Sequence, residues 1–288
     1  MARLKLHLFA GFSVSLDDQP ATGFESDKVR ALLAYIIMQG ERPQRRETLA
    51  ALLWPELSGR RARHNLRQAL FNLRVVIGDQ QAKPSFLTIT PQTIEFNTSS
   101  STWSDVTAFT HAHTAILEHQ HGQLSFCEPC LAHLEGAAGL YQGRFLNGLS
   151  LKGCQEFNEW TMIEAQRLHH QAVGILTQLV TIHQELGSSD RMLAYATQWA
   201  ALEPYDEVGH RALMLALAMS GQWKAALHQY ETCRDMLNNE LGAKPEAQTQ
   251  ELHQYLLASE IPSDTTFVRL ANEGVSKPVG ECPYRGLA

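Results

Sequence analysis

A change of periodicity near residue 100 is the feature that most restricts how this chain can fold. Up to Phe96 the apolar residues alternate or fall in short helical stripes. From about Ser104 the sequence is rich in Ala, Leu and Gln, with helical spacing throughout. The polar stretch Thr98-Ser-Ser-Ser-Thr102 lies between the two regimes. A chain of 288 residues has room for about two domains. The break predicts a first domain over 1–98 and a second over 104–260. Residues 261–288 lose helical periodicity and carry Pro and Gly, as a linker does.

Charge divides at the same place. Residues 1–98 hold 13 Lys and Arg against nine Asp and Glu, and the rest holds 11 against 21. From Arg42 to Arg74 there are eight arginines against only Glu47 and Glu56. Such a basic patch inside a chain of net charge -6 fits an anionic partner. No apolar run approaches the roughly 18 residues of a membrane span, and Met1–His7 lacks the apolar block of a signal peptide. Five cysteines disfavour a disulfide framework. A cytoplasmic protein without a membrane partner is expected.

Within the basic half, Leu4, Leu6 and Leu8 alternate with polar residues, as do Phe12, Val14 and Leu16, which predicts a small antiparallel sheet. Ser26 stands where it can cap a helix carrying Val29, Leu32, Leu33, Ile36 and Ile37, ending at Gly40. A short helix after Pro43 presents Leu49, Leu52 and Leu53 and stops at Trp54 before Pro55. A third helix, about Gly59 to Ile77, gathers Ala62, Leu66, Ala69, Leu70, Leu73 and Ile77 in one sector. The opposite sector holds Arg60, Arg61, His64, Arg67, Gln68, Phe71, Asn72 and Val75, with no carboxylate. A merely solvated face would mix Glu with Arg for i,i+4 pairs. Arg, Gln and Asn instead suit phosphates and base edges. Phe86–Thr90 and Thr93–Phe96, separated by Pro91-Gln92, predict a β-hairpin.

Sheet, helix, helix, basic helix and hairpin is the order of a winged helix-turn-helix with an N-terminal sheet. The segments Ser26–Tyr35, Arg46–Pro55 and Ala62–Arg74 resemble the OmpR-type DNA-binding domain of SARP-type bacterial transcriptional activators. That resemblance implies a third helix in the major groove of double-stranded DNA and a wing on the backbone or minor groove. Arg60, Arg61 and Arg67 would position the helix on phosphates or guanines, with Arg46 beside them; His64, Gln68 and Asn72 would read base edges.

The acidic half matches itself at an offset of 34 residues: Leu179 with Leu213, Gly187 with Gly221, Leu193 with Leu227 and Leu202 with Met236. This is the tetratricopeptide period, with Gly at the turn of each copy. The segments Leu202–Glu207, Gly221–Tyr230 and Leu241–Pro245 resemble the bacterial transcriptional activation domain that follows the winged helix in SARP-type proteins. The fold class expected is therefore mainly α, a winged helix followed by a tetratricopeptide-like repeat. The family resemblance implies contacts with RNA polymerase or with the protein's own regulatory domains; a helical stack also suits a second copy of itself. Cys282–Ala288 resemble the entry into a STAND-type ATPase module, so a longer regulator is expected.

No phosphate loop, His-Glu-x-x-His helix or nucleophile elbow is found, and enzyme activity is not expected. One cluster invites a metal: Cys127-Glu-Pro-Cys130 with His119 and His121 upstream, and His133 as substitute. Structural zinc, unliganded thiols and a redox dithiol are the three readings, the last lacking a surrounding βαβ pattern. Sequence-specific DNA binding for transcriptional activation is the function expected. The alternative is an adaptor inside a STAND-type signalling ATPase assembly, whose winged helix and repeat both bind protein.

Overall fold

Alternation at the N-terminus gives β1 (Leu4–His7), which pairs antiparallel with β2 (Ser13–Leu16); β2 pairs with β3 (Gln19–Pro20). Leu4, Leu6 and Val14 are buried on one face of this sheet. The structure, a computed structural model, describes residues 3–118 and 127–258. Next comes α1 (Asp27–Gln39), burying Val29, Leu32, Leu33, Ile36 and Ile37. Ser26 stands at its N-cap, but the hydroxyl makes no cap hydrogen bond. A two-residue strand β4 (Gln44–Arg45) leads into α2 (Arg46–Leu53), which Trp54 terminates. Then come α3 (Gly59–Val76), β5 (Leu87–Ile89) and β6 (Thr93–Phe96). The last two form an antiparallel hairpin in which Leu87 faces Phe96 and Ile89 faces Ile94.

The polar stretch at 98–102 does not separate two bodies. It leads into β7 (Thr102–Ser104), which joins β1 in parallel, Leu4 opposite Thr102 and Leu6 opposite Ser104. The N-terminal sheet is therefore mixed, in the order β3-β2-β1-β7. β7 runs directly into α4 (Asp105–Glu118), whose first residue is only 3% exposed. The Asp105 carboxylate accepts hydrogen bonds from the backbone N–H groups of Leu8 (2.9 Å), Phe9 (3.0 Å) and Val106 (2.7 Å).

By packing, the described residues of Met1–Ala112 and Gly139–His169 form one unit, and those of His113–Ala138 and His170–Ala288 another. In the first, Phe9 meets Tyr141 with ring centroids 4.9 Å apart, and Tyr35 meets Trp160 at 4.8 Å. The Cys154 thiol, buried as an inert cysteine should be, donates to the Leu53 carbonyl at 3.2 Å. Residues 139–169, read from sequence with the second domain, thus pack with the N-terminal sheet and α1.

Among the described residues the α-helices after α4 are α5 (Glu128–Leu140), α6 (Gln155–Glu185), α7 (Ser189–Leu202), α8 (Glu207–Met219), α9 (Trp223–Met236) and α10 (Ala247–Ala258), with a π-helical turn Leu237–Leu241 after α9. The 34-residue offset is visible in the second unit. Gly187 joins α6 to α7 and Gly221 joins α8 to α9, with φ of 66° and 75°, a left-handed turn that any Cβ would strain. The chain is mainly helical, with a small N-terminal sheet and a helical-repeat second half. Among the described residues no helix is long and apolar enough to cross a membrane.

Two histidines packed against tyrosines should make the second unit sensitive to acid. The His183 ring stacks on Tyr195 with centroids 5.5 Å apart, and its Nε2 lies 3.3 Å from Glu135, which also pairs with Arg191. Burial pushes the imidazole below its ordinary 6.5, outweighing the attraction of Glu135. His253, stacked on Tyr230 at 3.8 Å, is depressed by the same cause. The unfolded chain therefore takes up protons first. Stability is full above about pH 6.5 and falls as the pH drops through the depressed folded values. Melting temperature should decline from about pH 7 to 5.5, and less steeply in His183→Gln; an equal slope in both proteins would refute this.

Candidate nucleic-acid interface

The apolar stripe of α3 is buried as predicted, from Ala62 and Leu66 to Leu73 and Ile77. Burial of that stripe turns Arg60, Arg61, His64, Arg67 and Gln68 outward, and all five are exposed. The helix carries no Asp or Glu. Two further arginines are neutralised by acids from elsewhere: Arg63 pairs with Glu47 at 3.2 Å and Arg74 with Asp79 at 2.8 Å.

Asn72 does not join this face. It is 9% exposed, its Nδ2 donates to the Gly23 carbonyl at 3.0 Å, and its Oδ1 accepts from the Glu25 N–H at 3.1 Å. The segment before α1 lies over it and uses both ends of the amide. Asn72 is a structural clamp, with both ends of its amide held by the segment before α1 rather than turned to the outer face where base edges would be read.

Arg46 comes to α3 through the hairpin. β4 pairs with β6, Gln44 opposite Ile94 and Arg45 opposite Thr93, and the Arg46 N–H donates to the Gln92 carbonyl at 2.9 Å. The Thr90 hydroxyl braces the turn, accepting from the N–H groups of Gln92 and Thr93. These bonds border a cleft of about 560 Å³ between α2, α3 and the hairpin tip, whose lining includes Arg45, Arg46, Arg63 and Arg67 and a single carboxylate, Glu47. Arg45 and Arg63 lie outside the outward sector of α3 that local spacing picks out. A two-residue strand is too short to show alternation, so its pairing with the hairpin left no mark in the sequence.

The cysteine pair sits at the start of α5: Cys127 precedes it and Cys130 is buried in its first turn. Burial, and then the neighbouring Cys127, push the Cys130 thiol up to about 11. His133 is exposed further along α5, while His119 and His121 lie outside the described residues. Among the described residues no three His, Cys, Asp or Glu stand together as a metal would require. The linker expected at 261–288, with Cys282, also lies outside them.

These elements define a helical protein with a compact basic surface built from two helices and a hairpin. Residues 104–257, more than half of the chain, match the bacterial transcriptional activator domain, and the protein belongs to that family. Its fold is similar to that of Mycobacterium tuberculosis EmbR, solved in complex with a low affinity phosphopeptide. The TM-score is 0.64 at 21% identity, over 96% of this chain and 69% of that one. No curated protein matches the sequence.

Proposed function

We propose that the chain is a SARP-type activator that binds double-stranded DNA sequence-specifically, without covalent chemistry, through α3 and the adjoining hairpin. The observation that carries this is the exposed row Arg60, Arg61, His64, Arg67 and Gln68 on a helix without carboxylates, flanked by Arg45 and Arg46 at the hairpin. A helix about 10–12 Å across fits the major groove, where guanidinium groups meet phosphates and guanines and a Gln amide meets adenine. The hairpin tip would rest on the backbone, and the helical second half would engage the transcription machinery or further regulatory domains.

Counterion release makes the test direct. Duplex affinity should fall steeply with salt, and Arg61→Ala or Arg67→Ala should each weaken binding and flatten the logarithmic slope by about one unit. Gln68→Ala should chiefly relax sequence preference, by about 1–3 kcal/mol at one base pair. Lys244→Ala, exposed in the second unit, should leave binding unchanged. Salt-independent or absent duplex binding by the wild type would favour the protein-adaptor alternative.

A further inference from the structure

The outward face of α3 holds two apolar residues that phosphate binding does not explain, and the larger is aromatic. Phe71 is 61% exposed and Val75, one turn on, is 58% exposed. Measured around the helix at about 100° per residue, Arg60 and Arg67 lie about 20° and 40° to one side of Phe71 and His64 about 20° to the other, with Val75 and Gln68 beyond. Phe71 therefore points in the same direction as the polar row and continues it, about 6 Å along the axis past Arg67. An aromatic ring there is wetted in the free protein, and desolvating it costs nothing in lost hydrogen bonds.

The major groove offers such a ring one methyl group, the C5-methyl of thymine; the other base-specific groups it presents are hydrogen-bond donors and acceptors, and cytosine shows only a C–H at the same position. We infer that Phe71 selects a thymine in the operator by packing against its 5-methyl group, beside the bases met by His64 and Arg67. This inference rests on the DNA-binding reading above and adds the identity of one base to it. It also assigns α3 two modes of contact. The arginines hold the duplex and respond to salt. Phe71 responds to a methyl group and is indifferent to salt.

The experiment uses duplexes that the protein itself enriches from a randomised pool, with each thymine then replaced singly by uracil. That exchange removes one methyl group and leaves Watson–Crick pairing intact. Wild type should lose roughly four-fold in affinity at one such position, the value of one buried methyl. Phe71→Ala should bind the thymine and uracil duplexes equally, with its salt slope unchanged, and Phe71→Leu should retain part of the discrimination. Because the side chain is exposed, both variants should keep the wild-type melting temperature. If enriched duplexes bind with a steep salt slope but no position distinguishes thymine from uracil, or if Phe71→Ala still distinguishes them, the inference is overturned and the DNA-binding reading stands. If no duplex is enriched, both fall.

Discussion

Asp105→Ala should lower stability by about 3 kcal/mol or more, the largest loss expected from any single polar residue of the first unit. The carboxylate serves three backbone donors at once, on Leu8, Phe9 and Val106, the first two 97 and 96 residues away in sequence. Each buried donor left without an acceptor costs about 1–3 kcal/mol. Burial raises the carboxyl above its ordinary 3.8, although the three donors and His7, 3.9 Å away, pull it back. Asp105→Asn, which keeps one acceptor oxygen at the same place, should lose about half as much. Chemical denaturation of the three proteins decides it: an Ala variant within about 0.5 kcal/mol of wild type would mean that water replaces the carboxylate.

Arg211→Ala should destabilise the second unit by a similar amount, but for a different reason. Arg211 is 0% exposed on α8, and its Nη1 donates to the Thr249 hydroxyl at 3.0 Å and reaches Glu246 at 3.3 Å, joining α8 to α10. Glu246 is mostly exposed, so the charge left behind is met by water. What Ala removes is the bulk of a long buried side chain and the donor to Thr249, about 3 kcal/mol together. Arg211→Met keeps most of the volume and should stay within about 1 kcal/mol of wild type, because well-packed apolar replacements for buried charges are often neutral. Equal losses from Met and Ala would show that charge rather than volume holds the helices.

The parts of this structure that the sequence revealed are those written in local periodicity. The inner stripe of α3, the hairpin around Pro91-Gln92 and the glycines at 187 and 221 each follow from spacing within one element or one repeat. The parts it hid are pairings between distant segments. β7 has three residues and β4 two, too few to alternate visibly, and their partners lie far off in sequence. Residues 139–169 read as more helical repeat because nothing local marks Tyr141 and Trp160 as partners of Phe9 and Tyr35. The position of Asn72 is hidden for a related reason. A helical wheel counts its outward sector as free, whereas the segment carrying Gly23 and Glu25 folds over that edge. In the first unit, locality decided what could be read.

The bonds from Leu8 and Phe9 to Asp105 also set an order of events during synthesis. The first strand is made at once, yet the two N–H groups that follow it, on Leu8 and Phe9, have no protein acceptor until position 105 has been added, 97 residues after Leu8. Leu53 waits 101 residues for the thiol of Cys154. At about 5–20 residues per second, each delay is about 5–20 s of elongation. Throughout that interval the apolar row Leu4, Leu6, Leu8 is displayed on a nascent chain whose parallel neighbour does not yet exist. Slow elongation before residue 105 would lengthen the time this edge stays open to other chains.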